Sequence, residues 1–179
     1  PRQSGKTTGV LFPVYVLRCT FWPERQACVY TAQKRDSARK KFVKEFVPMM
    51  RQAPGFAEGR DFEVRLANGS EEIAFANGSY LGISATQSDS GHGDTLDVPG
   101  LDEIFAHDDP EVDQGFTPPM ATRPEPQKWL LSTAGHRRSF YLKGKREAGR
   151  AAVAADSGEG IPYFAWWADW DPGQPAPGV

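Results

Sequence analysis

The sequence predicts an α/β fold with a mostly parallel central sheet, and three observations lead to this prediction. A short glycine-containing loop at the start of the chain runs into an apolar stretch. Further along, apolar runs typical of strands alternate with segments whose apolar residues recur at helical spacing. Two of the later apolar runs end in polar side chains, as strands do at the ligand-binding carboxyl edge of a parallel sheet.

The composition is that of an ordinary globular protein. The chain has 179 residues, of which 39% are hydrophobic and 25% charged, and this is enough for one domain with a real core. It contains no run of about 18 apolar residues, so we expect no membrane-spanning segment. Cys19 and Cys28 form neither a metal-binding spacing nor a disulfide framework, which favours a reducing cytoplasm over secretion.

The opening loop has the residues of a phosphate-binding loop. In the pattern G-x-x-x-x-G-K-[ST], Gly5 lets the backbone approach phosphate, Lys6 reaches the β- and γ-phosphates, and Thr7 offers a hydroxyl to Mg²⁺. The first glycine of this pattern would fall one position before Pro1, so we expect a truncation before the strand that presents the loop. The predicted nucleotide-binding residues are Arg2, Gln3, Ser4, Gly5, Lys6, Thr7 and Thr8. A chance S-G-K-T on a surface turn is the alternative that this motif alone leaves open.

Two helices and a strand are predicted after the loop. The apolar stretch that follows predicts a helix beginning at Lys6, with its N-terminus towards the phosphates. Residues 26–33 then have the nearly continuous apolar character of a buried strand. Asp36 is the predicted N-cap of the next helix, and we expect Pro48 to kink or end it. Its apolar residues recur at helical spacing and predict a core-facing stripe: Ala38, Phe42, Val43, Phe46 and Val47.

A small antiparallel insert is predicted next. Residues 62–67, 71–76 and 79–85 have the pattern of short strands, and Asn-Gly pairs separate them. Asn-Gly between alternating runs is the strongest short-range signal for a hairpin. Serines and glycines over residues 84–93 then predict a loop that leads into the next strand.

That next strand ends in two carboxylates. Residues 96–101 are mostly apolar, and Asp102 and Glu103 follow them directly. In an ATPase, such a pair holds Mg²⁺ with its first carboxylate and orients the attacking water with its second, because phosphoryl transfer depends on charge neutralisation and positioning. Pro99 and Gly100 lower the strand propensity of this segment. An ordinary transition from strand to loop is the alternative.

A third apolar run, residues 129–131, ends in Ser132 and Thr133. At the carboxyl edge of a parallel sheet, two hydroxyls can sense a γ-phosphate and relay its loss. A strand that simply ends in a turn is the alternative for this segment. The remaining chain predicts a helix over residues 139–155 and an aromatic strand over residues 161–169.

The charged residues are unevenly distributed, although the formal net charge is only −2. One basic cluster lies on or beside the helix after the first strand: Lys34, Arg35, Arg39, Lys40, Lys41, Lys44 and Arg51. The other surrounds the helix over residues 139–155: Arg137, Arg138, Lys143, Lys145, Arg146 and Arg150. Both can follow the phosphate backbone of DNA, and ordinary solvated helix faces explain them equally well.

Taken together, these motifs resemble those of the large terminase subunit, the DNA-packaging motor of tailed bacteriophages. The resembling segments are R-Q-S-G-K-T (residues 2–7), T-A-Q-K-R-D-S-A (31–38), L-D-E (101–103), L-L-S-T-A-G (130–135) and Y-F-A-W-W-A-D (163–169). The resemblance implies a P-loop NTPase of the additional-strand class, a three-layer sandwich with a mostly parallel central sheet and a small antiparallel hairpin insert. It also implies an ATPase domain over residues 1–170 and, over residues 171–179, the start of a linker to an RNase H-like nuclease domain.

The resemblance also implies roles for individual residues. The implied site residues are Glu103, Lys6 and Arg2 for catalysis, Thr7 and Asp102 for Mg²⁺, and Ser132 and Thr133 for coupling hydrolysis to movement. Arg2 stands where the family has a loop arginine proposed to act in cis on the transition state, and a phosphate or structural contact is its alternative. Some members carry an arginine where this chain has His92, which leaves a trans-acting arginine unassigned.

The function implied by the resemblance is ATP hydrolysis with Mg²⁺ that drives double-stranded DNA into a procapsid. The implied partners are the portal protein, the small terminase subunit and further copies of the chain in a homo-oligomeric ring, in the cytoplasm of a bacterial host. A superfamily 2 helicase-like translocase is one alternative, disfavoured because Ile104 and Phe105 follow the Asp-Glu pair. A catalytically inactive nucleotide-binding module is the other.

Overall fold

The computed structural model describes residues 5–84, 95–106, 114–133, 135, 137–155 and 163. Within these residues six strands form one sheet: β1 (Ala27–Thr31), β2 (Phe62–Arg65), β3 (Glu72–Phe75), β4 (Tyr80–Ile83), β5 (Val98–Leu101) and β6 (Trp129–Leu130). The strand order is β2-β3-β4-β1-β5-β6. Strand β1 is parallel to β4 and β5, and β5 is parallel to β6, whereas β2, β3 and β4 form an antiparallel meander. The predicted mostly parallel sheet with a small antiparallel part is confirmed.

Helices cover both faces of this sheet. The first begins with π-helical turns over Lys6–Leu11 and continues as α1 (Phe12–Phe21). The second comprises α2 (Arg35–Lys41), π-helical turns over Phe42–Phe46 and α3 (Val47–Gln52). A 3₁₀ turn (Ile104–Ala106), the short α4 (Thr117–Met120) and α5 (Phe140–Ala155) complete the described helical segments. None of the described helices is long and apolar enough to cross a membrane.

The core lies in two layers because the side chains of a strand alternate between the faces of the sheet. On β1, Cys28 and Tyr30 join a large cluster with α1, the π-helical turns and α3. Ala27 and Val29 point the other way, into a smaller cluster with α4, and α5 packs against that cluster. Helices therefore cover the sheet on both sides, as expected for a three-layer sandwich.

The predicted N-cap of the second helix was wrong, and one of the two outcomes expected for Pro48 does not occur. Lys34 is the N-cap of this helix, and Asp36 lies in the first turn instead. Pro48 does not end the helix, which continues to Gln52. The π-helical turns before Val47 shift the hydrogen-bonding pattern, so that Pro48 falls in the first turn of α3, where a missing N–H is tolerated.

Strand β5 forms although it contains a proline. The N–H of Asp102 donates to the carbonyl of Thr31 on β1 (2.9 Å), and the N–H of Leu131 donates to the carbonyl of Leu101 on the β6 side (2.8 Å). Because alternate residues of a strand bond to the same neighbour, the nitrogen of Pro99 faces β6. Pairing with β6 begins only at Gly100, so Pro99 removes no donor from the ladder between β1 and β5.

The glycine of β5 has a packing role. A Cβ atom at Gly100 would overlap the hydroxyl of Tyr15 and would lie 2.7 Å from a methyl carbon of Leu11. Both of these side chains belong to the first helix and are fully buried. The Tyr15 hydroxyl donates to the carbonyl of Val29 on β1 (3.0 Å). The absence of a side chain at Gly100 thus lets the helix that follows the loop lie directly against the sheet.

A buried carboxylate ties the second helix to the antiparallel insert. Glu71, just before β3, accepts hydrogen bonds from Arg35, from Arg39 (2.7 Å) and from the N–H of Gly69 (3.1 Å). Burial alone would raise the pKa of Glu71, but the backbone and arginine hydrogen bonds prevail and lower it. Glu71 is therefore ionised at neutral pH.

We expect Gly100→Ala to lower the free energy of unfolding by about 1–3 kcal/mol, because the added methyl group overpacks the contact with Tyr15. Gly82→Ala on β4 is the matched control, since its Cβ would make only ordinary contacts, at 3.6 Å or more. Denaturant unfolding of both variants measures the difference. Equal unfolding midpoints would show that the helix does not pack against Gly100 as described.

Replacing Glu71 by Gln should cost about 1.5–3 kcal/mol of unfolding free energy at pH 7, the range for hydrogen bonds to charged groups. The pKa of Glu71 is lowered in the folded state, so its contribution is present above the unfolded pKa of about 4.3 and is lost as the pH falls through the folded pKa. The stabilities of the variant and the parent should therefore converge in acid. Glu63→Gln, at an exposed position on β2, is the control and should change stability little at any pH.

Candidate functional site

An open cleft of about 690 Å³ lies where the carboxyl ends of β1 and β5 meet the start of the first helix. The predicted site residues that line it are Gly5, Lys6, Thr7, Thr8, Asp102, Glu103 and Thr133. Three segments that are distant in the sequence thus converge on one cleft. Its volume is within the range of small-molecule binding sites.

The loop enters the first helix through a left-handed residue. Gly5 has φ 74° and ψ 9° and is the N-cap of the helical turns that begin at Lys6. A Cβ atom at Gly5 would meet nothing within 4 Å, so glycine is favoured here for its backbone conformation and not for space. The helix N-terminus, with its partial positive charge, opens into the cleft and suits an anion.

Asp102 is the residue on which the site converges. Its Oδ2 accepts hydrogen bonds from the Thr7 hydroxyl (2.6 Å) and the Tyr30 hydroxyl (3.1 Å). Its Oδ1 accepts one from the backbone N–H of Glu103 (2.9 Å) and lies 2.9 Å from Nζ of Lys6. Only 3% of Asp102 is exposed, so these four donors take the place of water.

The protonation states of this cluster follow from its contacts. Burial would raise the pKa of Asp102, but the hydrogen bonds from Thr7 and Lys6 outweigh it and lower the pKa. Burial raises the pKa of Tyr30, and the charge of Asp102 raises it further. At neutral pH Asp102 is therefore an ionised acceptor and Tyr30 a neutral donor.

Glu103 has an unusual backbone. Its φ is 60°, a left-handed value that residues other than glycine rarely adopt. In a regular strand, successive side chains point to opposite faces, and Asp102 and Glu103 would be separated by the sheet. The left-handed residue breaks this alternation, and both carboxylates line the same cleft. Such strain is typical of functional sites.

Ser132 and Thr133 occupy different positions. Ser132 accepts a hydrogen bond from the backbone N–H of Phe105 (3.1 Å), in the 3₁₀ turn directly after Glu103, and donates to the carbonyl of Thr133 (2.8 Å). Thr133 lines the cleft. The hydroxyl of Ser139, at the start of α5, donates to the carbonyl of Phe105 (2.6 Å). Hydrogen bonds at Phe105 therefore join the turn after Glu103 to the segment that follows β6 and to the start of α5.

The oxygen donors at Asp102 fit a magnesium ion. Mg²⁺ prefers oxygen ligands and is usually held by one or two protein groups together with substrate phosphates. The Thr7 hydroxyl and the Asp102 carboxylate supply two such oxygens, only 2.6 Å apart. Among the described residues no cluster of three or more His, Cys, Asp or Glu side chains could hold a metal ion by itself. A metal here would therefore depend on the phosphates of a bound nucleotide.

Some predicted residues lie outside the described part of the chain. These are Arg2, Gln3 and Ser4 of the loop, His92, and the aromatic segment over residues 164–169. The predicted loop over residues 85–93 and the predicted linker over residues 171–179 also lie outside it.

Other cleft residues were not assigned to the site from the sequence. Tyr30 belongs to an apolar run, and only its place near the end of β1 indicates that its hydroxyl reaches the carboxyl edge of the sheet. Lys40, Lys41 and Lys44 also line the cleft, from the second helix. The helical spacing of these lysines predicts that they share one face of the helix. It does not indicate that this face lines the cleft.

Among the comparisons with known proteins, only the comparison with solved structures finds matches. No protein-family model matches the sequence, and no curated protein matches it. The large terminase of bacteriophage HK97 is similar in structure, with a TM-score of 0.68 and 15% identity over 87% of this chain and 32% of that one. A large terminase of a thermophilic bacteriophage, in complex with ADP, has a TM-score of 0.58 and 16% identity over 73% of this chain and 31% of that one.

A single-domain structure matches as well. A variant of the ATPase domain of the Thermus phage P74-26 large terminase has a TM-score of 0.53 and 21% identity, over 79% of this chain and 60% of that one. The chain thus spans about a third of the length of the whole terminases it matches. Together with the sheet order and the loop, these similarities show that the chain has the P-loop fold of large-terminase ATPase domains.

Proposed function

We propose that this chain is the ATPase motor domain of a tailed-phage large terminase, which hydrolyses ATP with Mg²⁺ and moves double-stranded DNA into a procapsid. The observation that carries the proposal is the contact of the loop residues Lys6 and Thr7 with Asp102 in one cleft. The fold shared with terminases, one of them bound to ADP and another an ATPase domain, supports it.

The loop residues bind the phosphates in this proposal. Lys6 leaves Asp102 and neutralises charge on the β- and γ-phosphates, while the backbone around Gly5 and the hydroxyl of Thr8 complete the loop. Thr7 and Asp102 hold Mg²⁺, which when bound neutralises phosphate charge as the γ-phosphoryl group is transferred. When Lys6 moves from the Asp102 carboxylate to the phosphates, it leaves its place beside Asp102 to Mg²⁺. Both the carboxylate and the phosphates therefore keep a cation as partner.

Glu103 orients and deprotonates the attacking water. Glu103 has a left-handed backbone and lines the cleft next to Asp102, which supports a role in water activation beside the proposed metal ligand. Arg2 acts in cis on the charge of the transition state, with Gln3 and Ser4 completing the loop. An arginine in such a role accelerates the reaction by about 10³–10⁵ where it operates.

Ser132 and Thr133 couple hydrolysis to movement. Thr133 faces the cleft and responds to the γ-phosphate, while Ser132 bonds the turn after Glu103. Because Ser139 bonds the same turn at Phe105, a shift there reaches α5. The basic residues on and before α5 are then in a position to act on the DNA backbone.

The wider assembly follows from the same proposal. The motor works as a homo-oligomeric ring with the portal protein and the small terminase subunit, in the cytoplasm of a bacterial host. Residues 1–170 form the ATPase domain, and residues 171–179 begin the linker to a nuclease domain. A catalytically inactive nucleotide-binding module is the second candidate, since the phosphate-binding cation Lys6 is paired with Asp102 in the structure.

Glu103→Gln should keep nucleotide binding and lower ATP turnover about 10²–10⁴-fold, the usual loss when a general base is removed. Lys6→Ala should lose both, because the phosphates lose their cation. Turnover and binding are measured with Mg²⁺ on the full-length protein, with Glu63→Gln as a control away from the cleft. Turnover that is unchanged in both cleft variants would show that the catalytic assignment is wrong, whereas a parent protein that binds nucleotide without turning it over would be the inactive module.

Tyr30→Phe should raise the Mg²⁺ concentration needed for half-maximal turnover, because Asp102 loses one of the donors that orient it. Tyr15→Phe is the matched control, since it also removes a buried tyrosine hydroxyl bond but does not touch Asp102. Both variants should lose about 1 kcal/mol of unfolding free energy. An identical Mg²⁺ dependence in the two variants would show that Tyr30 has only a structural role.

A further inference from the structure

The part of the cleft that the second helix forms carries three lysines. Lys40, Lys41 and Lys44 lie on the second helix, with Ser37 one turn before them, and all of them line the cleft that contains Lys6. The spacing i, i+3, i+4 and i+7 from Ser37 places them on one side of the helix. We call Lys40, Lys41 and Lys44 the lysine face.

Aromatic packing holds the lysine face at a fixed distance from the loop. On the other side of the helix Phe42 and Phe46 are fully buried. The ring of Phe46 stacks on Phe12 of the first helix, with centroids 5.0 Å apart, and meets Tyr30 edge-on, also at 5.0 Å. Phe12 follows the loop, and Tyr30 bonds Asp102, so one ring connects the lysine face to both parts of the site.

The basic residues of this helix differ in whether they form ion pairs. Arg35 and Arg39 are bound to Glu71, away from the cleft. Lys41 is paired with Glu45 at 3.2 Å. Lys40 and Lys44 are exposed and make no ion pair or hydrogen bond with any residue that the structure describes. Two lysines therefore remain available to an anion in the cleft.

The charges of the cleft require these lysines if it is to accept a triphosphate. Its described lining carries four lysines and three carboxylates, the latter being Glu45, Asp102 and Glu103. Lys6 is already engaged with Asp102. Without the lysine face, one lysine would stand against three carboxylates, and the attraction of the cleft for a polyanion would be weaker.

We infer that Lys40 and Lys44 bind the nucleotide phosphates in cis, from the second helix. They form a second phosphate-binding element, in addition to the loop. The inference rests on the proposed function, because it takes ATP as the ligand of the cleft. A nucleotide is favoured over DNA as the source of phosphate because these lysines line the same cleft as Lys6, Asp102 and Glu103.

The test compares a double variant, Lys40→Gln with Lys44→Gln, with a control of equal charge change at two exposed positions outside the cleft, Arg60→Gln with Arg65→Gln. The probes are the non-hydrolysable ATP analogue AMP-PNP, inorganic triphosphate and adenosine, each titrated with Mg²⁺ on the full-length protein. We expect the cleft variant to lose about tenfold in affinity per lysine for AMP-PNP and for triphosphate. Adenosine binding should not change, and the control should match the parent. Lys40→Arg with Lys44→Arg should restore affinity because it retains both charges.

The outcomes separate this inference from the proposed function. If Lys6→Ala abolishes AMP-PNP binding while the Lys40 and Lys44 double variant binds it like the parent, the lysine face does not contact nucleotide and the inference is wrong. A double variant that loses affinity only for a short fluorescein-labelled DNA duplex would assign the lysines to DNA, which also overturns it. If the parent protein binds no AMP-PNP, or Lys6→Ala binds it normally, the proposed function itself fails.

Discussion

The carboxylate of Asp102 is the group on which the arrangement of the site depends. An ionised carboxylate with 3% exposure is costly unless donors replace the water it has lost. Here those donors come from the loop, from β1 and from the next backbone N–H, so the loop can hold its position only if the first helix and both strands are in register. In the proposed function, a nucleotide that draws Lys6 away leaves Asp102 in need of another cation, and this would couple nucleotide binding to metal binding.

Local signals in the sequence were sufficient for most of the architecture. The glycine before Lys6, the Asn-Gly pairs and the apolar runs predicted the loop, the meander and β1, because turn chemistry and burial periodicity act over a few residues. The pair of carboxylates after β5 and the hydroxyls after β6 were also predictable, since parallel strands bring their carboxyl ends to one edge of the sheet.

What the sequence could not provide depends on contacts between distant segments or on a single backbone angle. Nothing local marks Glu103 as left-handed, although this backbone angle departs from the regular alternation of a strand at a residue that lines the cleft. The sequence pattern marks Tyr30 as an apolar strand residue, whereas in the structure its hydroxyl donates a hydrogen bond to Asp102. Pro48 was expected to kink or end its helix. The π-helical turns before it have no clear sequence signal, so their effect on the position of Pro48 could not be predicted. The direction of the lysine face depends on aromatic packing between helices.

The contact between Tyr15 and Gly100 has a consequence for how such chains diverge. The tyrosine hydroxyl occupies the volume that a side chain at position 100 would need, and it also bonds the backbone of β1. Neither position can change alone without moving the first helix away from the strand that ends at Asp102. Among relatives of this chain, a residue larger than glycine at position 100 should therefore occur together with a shorter side chain at position 15, and the two columns of an alignment should co-vary.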